Sequence, residues 1–78
     1  MPMKLLLAED DRKLGELTAH LLRKKTGGTV DWVTTGGDAF DYATASSYDV
    51  VILDWMMPGG DGRETCARLR KGGYLGAI

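Results

Sequence analysis

Two short apolar runs in this 78-residue chain each end abruptly in carboxylates, and those carboxylates are where chemistry is expected. Leu5-Leu6-Leu7-Ala8 runs into Glu9, Asp10 and Asp11, and Val50-Val51-Ile52-Leu53 runs into Asp54. Runs of this length bounded by polar residues read as strands buried on both faces, the pattern of central parallel strands. The carboxyl ends of such strands are where open α/β folds place their ligands. If the two strands are neighbours, Glu9, Asp10 and Asp54 converge at one sheet edge. Three carboxylates so close repel one another unless protons or a cation compensate. A hard divalent cation answers that repulsion, since Mg²⁺ is commonly held by one or two carboxylates with water and phosphate oxygens completing the shell. A carboxylate beside Mg²⁺ can also act as a nucleophile toward a phosphoryl group. Asp54 is the leading functional residue.

The elements that must position these groups follow from the spacing. From Arg12 the apolar period changes, with Leu14, Leu17, Leu21 and Leu22 forming the stripe of an amphipathic helix expected to face the core. Arg23-Lys24-Lys25 suits its carboxyl end and reads as a solvated run, and Gly27-Gly28 stops it. Thr29 to Thr34 is β-branched and aromatic and predicts an edge strand in which Trp32 packs or lies at the surface. Gly36-Gly37 reads as a turn and Asp38 as the N-cap of a helix through about Ala45, with Ala39, Phe40 and Ala43 inward and Ser46-Ser47 closing it. After the third strand and a Pro58-Gly59-Gly60 loop, Asp61 is positioned to cap a helix from about Arg63 to Arg70 that turns Cys66 and Leu69 inward. Lys71-Gly72-Gly73 ends that helix, and Tyr74 to Ile78 resembles the approach to a fourth strand. The order β-α-β-α-β-α predicts parallel strands joined by right-handed crossovers.

Composition narrows the function. Ten basic and eleven acidic residues give a formal charge of −1, with no overall basic field for nucleic acid or an anionic membrane. One cysteine excludes an intrachain disulfide and a cysteine-based zinc site and fits a reducing compartment. The apolar run after Lys4 is too short for a signal segment or a membrane span, so a cytoplasmic location is expected. At this length one small domain, burying roughly 60–65% of its unfolded surface, is the most the chain can form. His20 lies mid-helix and is assigned no role.

The stretches Leu5 to Asp11 and Asp49 to Gly62 closely resemble the receiver domain of two-component response regulators. Trp55-Met56 with Pro58-Gly59-Gly60 is most similar to receivers of OmpR-type winged-helix transcription regulators. The resemblance implies a flavodoxin-like (CheY-like) α/β fold with a parallel sheet of order 2-1-3. It implies that Asp54 is the phosphoacceptor, taking a phosphoryl group from a sensor histidine kinase or a small phosphodonor. It implies that Asp10 binds Mg²⁺ directly, that Glu9 acts through water, and that the Met56 backbone carbonyl is a further ligand. Asp11 is left a minor electrostatic role.

A complete receiver of this kind has two further βα units carrying a Ser/Thr and a Lys, neither of which lies within residues 1–78. The expectation is a partial receiver domain, β1-α1-β2-α2-β3-α3 with the start of β4, that holds the acceptor but does not complete the switch. It is expected to be a signalling module rather than an enzyme, from a parent that regulates transcription, contacting neither nucleic acid nor membrane itself. Two other readings stay open. A phosphohydrolase of the haloacid-dehalogenase type also phosphorylates a strand-end aspartate, but needs a second aspartate two positions on, where this chain has Met56. A structural unit that self-associates through an open third-strand edge is the other.

Overall fold

The computed structural model describes residues 3–54 and 62–73. Three strands, β1 (Lys4–Ala8), β2 (Thr29–Val33) and β3 (Val50–Leu53), alternate with three helices, α1 (Arg12–Thr26), α2 (Gly36–Ala45) and α3 (Gly62–Lys71). Both strand pairs are parallel and the order is β2-β1-β3, the 2-1-3 order implied by the resemblance. The expected fourth-strand approach, Tyr74 to Ile78, lies outside the described residues, as do the Pro58-Gly59-Gly60 loop and the expected cap Asp61.

Strand alternation divides the core in two. Leu5 and Leu7 point to one face, where Ala19 of α1 and Val30 of β2 join them with Leu22, Trp32, Val50 and Ile52 alongside. Leu6 and Ala8 point to the other, where Val33, Val51, Ala39 and Ala43 of α2, Tyr48 and Leu69 of α3 close around them. β1, the central strand, is the one sealed on both faces. In β3 only Val51 is fully buried, whereas Val50, Ile52 and Leu53 are half-buried, which corrects the expectation of a strand covered on both sides. For Val50 and Ile52 the cause is lateral: α1 lies over β1 and β2, so the α1 side of β3 is only partly covered.

The α1 seat also differs from its predicted stripe. Its buried residues are Gly15 and Ala19, with Leu22 packed beside them, while Leu14, Leu17 and Leu21 are exposed. At 100° per residue the exposed leucines lie roughly 130° around the helix from the seat. Small residues were chosen for the seat because it lies close against the sheet; a Cβ on Gly15 would come within 2.3 Å of the Trp32 ring.

Helix ends follow cap chemistry. Asp11 is the N-cap of α1, its carboxylate accepting from the Leu14 N–H at 3.0 Å, and Gly27 ends the helix at φ 66°, a left-handed conformation that favours glycine. The cap of α2 is Thr35, whose Oγ1 accepts from the Asp38 N–H at 3.0 Å. Asp38 therefore lies in the first turn instead of capping it, and Gly36 and Gly37 are helical. Arg23 does not end in solvent: its Nη2 donates to the Val30 carbonyl at 2.8 Å and ties the end of α1 to β2. At the opposite edge of the sheet from the carboxylates, the Tyr48 hydroxyl donates to Asp31 Oδ2 at 2.6 Å and the Lys4 ammonium lies 4.8 Å from the ring centre.

Candidate metal and phosphoacceptor site

Glu9 and Asp54 each sit one residue beyond a strand, yet the ladder still holds their backbones. The Glu9 N–H donates to the Val33 carbonyl at 3.0 Å, and the Asp54 N–H donates to the Ala8 carbonyl at 3.1 Å. The β1–β3 register pairs Ala8 with Leu53, so the residues that follow, Glu9 and Asp54, emerge abreast. Groups carried by hydrogen-bonded strand ends are held far more firmly than groups on a free loop.

The result is a convergent acidic cluster. One ligand oxygen from each of Glu9, Asp10 and Asp54 lies within 4.8 Å of the others. Glu9 is buried, Asp54 half-buried and Asp10 exposed, so the cluster forms a gradient from core to solvent. Burial pushes the Glu9 carboxyl above its ordinary range; the Asp54 charge and hydrogen bonding with Asp54 and Asp10 push the same way, and the Asp11 N–H donating to Glu9 pulls it back. A buried carboxylate that resists ionisation among other carboxylates lacks positive charge. These hard oxygen donors fit Mg²⁺ in kind, since that ion is held by carboxylates and retains waters. Of the four expected metal-site residues, the structure brings Glu9, Asp10 and Asp54 together; Met56 lies outside the described residues.

Three participants escaped the sequence reading. Gly62 opens α3 directly against the acceptor strand, where a Cβ would stand 2.1 Å from the Asp54 carbonyl oxygen and 3.3 Å from the Leu53 Cβ. Its place in the loop motif is visible in sequence, but the close approach is not. Trp32 donates its indole N–H to the Glu9 carbonyl at 2.8 Å, a contact across 23 positions that no local pattern signals. Asp11, given only a minor electrostatic role, caps α1; an acidic residue immediately before a helical stripe was the available signal.

The comparisons agree with this geometry. Residues 5–78 match the family model described as the response regulator receiver domain. The transcriptional regulatory protein TcrA of Mycobacterium tuberculosis is 44% identical over 69 residues, which cover 88% of this chain and 27% of that relative. Among solved structures, response regulator TrrA of Thermotoga maritima in complex with Mg²⁺-BeF superposes with a TM-score of 0.86 at 31% identity, over 91% of this chain and 61% of that one. The BeF₃-activated N-terminal receiver domain of Klebsiella pneumoniae RstA gives 0.84 at 36% identity, over 94% and 61%. The chain thus spans about a quarter of the TcrA length. Among the described residues no helix is long and apolar enough to cross a membrane. With acidic cluster, parallel order and family match in agreement, the chain belongs to the response regulator receiver domain family.

Proposed function

We propose that this chain accepts a phosphoryl group on Asp54 in a Mg²⁺-dependent step, as the receiving module of a two-component pathway whose parent protein regulates transcription. The observation that carries the reading is the convergence of Glu9, Asp10 and Asp54 within 4.8 Å at the carboxyl ends of adjacent parallel strands. The donor is a phosphohistidine of a sensor kinase or a small acyl phosphate. An Asp54 carboxylate oxygen attacks phosphorus, a P–O bond forms, and the donor's P–N or P–O bond breaks with its electron pair leaving on the donor. Asp10, exposed, and Glu9, buried, would hold the metal beside the acceptor. Bound Mg²⁺ neutralises charge on the carboxylates and on the transferring phosphoryl oxygens. The ladder bond from the Asp54 N–H to Ala8 keeps the nucleophile's backbone fixed during attack.

Incubation with MgCl₂ and acetyl phosphate, followed by intact mass measurement, tests this reading. One phosphoryl adduct is expected in the parent, absent in Asp54→Asn and absent with EDTA. An adduct retained in a folded Asp54→Asn chain removes Asp54 from the role.

A further inference from the structure

Trp32 is half-buried on β2, a place its aromatic character alone explains as packing, but its polar end reaches the acidic site. The indole Nε1–H donates to the Glu9 carbonyl at 2.8 Å. That carbonyl belongs to the planar peptide whose nitrogen is that of Asp10, so anchoring it fixes the plane from which both Glu9 and Asp10 project. On its other side Glu9 is anchored as well, its N–H donating to the Val33 carbonyl at 3.0 Å. Adjacent residues of β2 thus grip Glu9 front and back. The ring cannot drift, because it is seated over Gly15 so closely that a Cβ there would lie 2.3 Å from its Cε2 and Cζ2. Helix α1, whose N-cap Asp11 also donates its N–H to the Glu9 carboxylate at 3.3 Å, is held to the same anchor.

We propose that Trp32 is a positioning residue for the acidic site, its indole N–H fixing the Glu9–Asp10 peptide so that both carboxylates face Asp54. The role rests on the reading of Glu9, Asp10 and Asp54 as a Mg²⁺ site. Trp32 touches neither metal nor phosphoryl group; it acts through the backbone. Replacement by Phe keeps a ring over Gly15 and deletes the donor, leaving the Glu9 carbonyl short of one partner.

The test is calorimetric titration of the full chain and of Trp32→Phe with MgCl₂, with circular dichroism on both, alongside exchange of the indole N–H signals in the ¹⁵N-labelled parent. Trp55→Phe assigns the two indole signals. The expected result is a Mg²⁺ dissociation constant raised about three- to tenfold in a folded Trp32→Phe chain. In the parent, a Trp32 Nε1–H protected from exchange is expected, with a shift that moves on Mg²⁺ addition. Trp32 also borders an open cavity lined by Arg12, Glu16 and Thr34, so an unengaged indole N–H there exchanges freely with water. An unchanged constant in folded Trp32→Phe overturns the role of Trp32 and leaves the metal reading standing. If Trp32→Phe does not fold, the parent's indole signal decides: fast exchange with no response to Mg²⁺ overturns the proposal. A folded parent that binds no Mg²⁺ overturns the metal reading and the positioning role with it.

Discussion

Replacing Gly62 by alanine places one methyl group against the backbone of the phosphoacceptor. Gly62 has an ordinary helical backbone that alanine adopts freely; what is missing is space. The new Cβ would stand 2.1 Å from the Asp54 carbonyl oxygen and 2.8 Å from its carbon. A close carbon–oxygen approach is about 3.3 Å, so α3 or the end of β3 must retreat by about 1.2 Å. Neither side is a flexible side chain: one is the first residue of a helix seated by buried Thr65 and Leu69, the other a strand end bonded to Ala8. Overpacking of this kind costs about 1–3 kcal/mol, set against a gain of at most about 1 kcal/mol from helix propensity. A net loss of about 1–2 kcal/mol is expected, a large share of the roughly 4–12 kcal/mol available to a chain of this size. Urea unfolding followed by circular dichroism, with and without Mg²⁺, measures it. Gly37→Ala is the control, because its Cβ meets nothing nearer than the Thr35 Oγ1 at 3.9 Å, and there the same substitution is expected to stabilise by about 0.5–1 kcal/mol. A Gly62→Ala chain as stable as the parent, with the same response to Mg²⁺, refutes the close-approach argument.

Four further outcomes are expected. Asp10→Ala weakens Mg²⁺ binding and, by removing one of three mutually repelling carboxylates, leaves metal-free stability equal or higher; unfolding with and without Mg²⁺ reads both effects. Thr35→Ala removes the α2 cap and costs about 1 kcal/mol in urea unfolding. Burial, with the hydrogen bond to Asp31 and the Asp31 charge adding to it, raises the Tyr48 hydroxyl above its ordinary range, so the folded chain holds that proton more tightly than the unfolded chain. Stability is therefore expected to be unaffected by this group below about pH 10 and to fall above it by up to about 1.4 kcal/mol per pH unit, a decline absent in Tyr48→Phe. Asp54→Asn leaves the free energy of urea unfolding within about 0.5 kcal/mol of the parent or raises it, since it removes a charge from the cluster.

The strands and the acidic cluster were legible because short apolar runs ending in carboxylates leave few alternatives: β3 has the boundaries its pattern predicts, and β1 differs only by including Lys4. Helix existence was equally clear, but which face of α1 meets the sheet was not. The leucine stripe is the stronger apolar signal, yet the helix seats on Gly15 and Ala19, because close approach to the sheet and to Trp32 selects small residues there. The cap of α2 was misplaced by three positions because Asp38 and Thr35 are both good caps, and Gly36-Gly37 imitates a turn when it in fact begins the helix. For the site, Glu9, Asp10 and Asp54 could be named from sequence because their chemistry resides in their own side chains. Trp32 and Gly62 could not, because their roles exist only across chain reversals: one as a donor to a distant carbonyl, the other as the absence of a methyl group.

We propose that the three carboxylates form one site in which Asp54 is the nucleophile. The most direct test is to phosphorylate the folded chain with acetyl phosphate and Mg²⁺, reduce the acyl phosphate with borohydride, and locate the modified residue by peptide mass spectrometry. Homoserine at position 54, with Glu9 and Asp10 unmodified, is the expected result. A reduced residue at Glu9 or Asp10, or none on a folded chain with Mg²⁺ bound, contradicts that assignment.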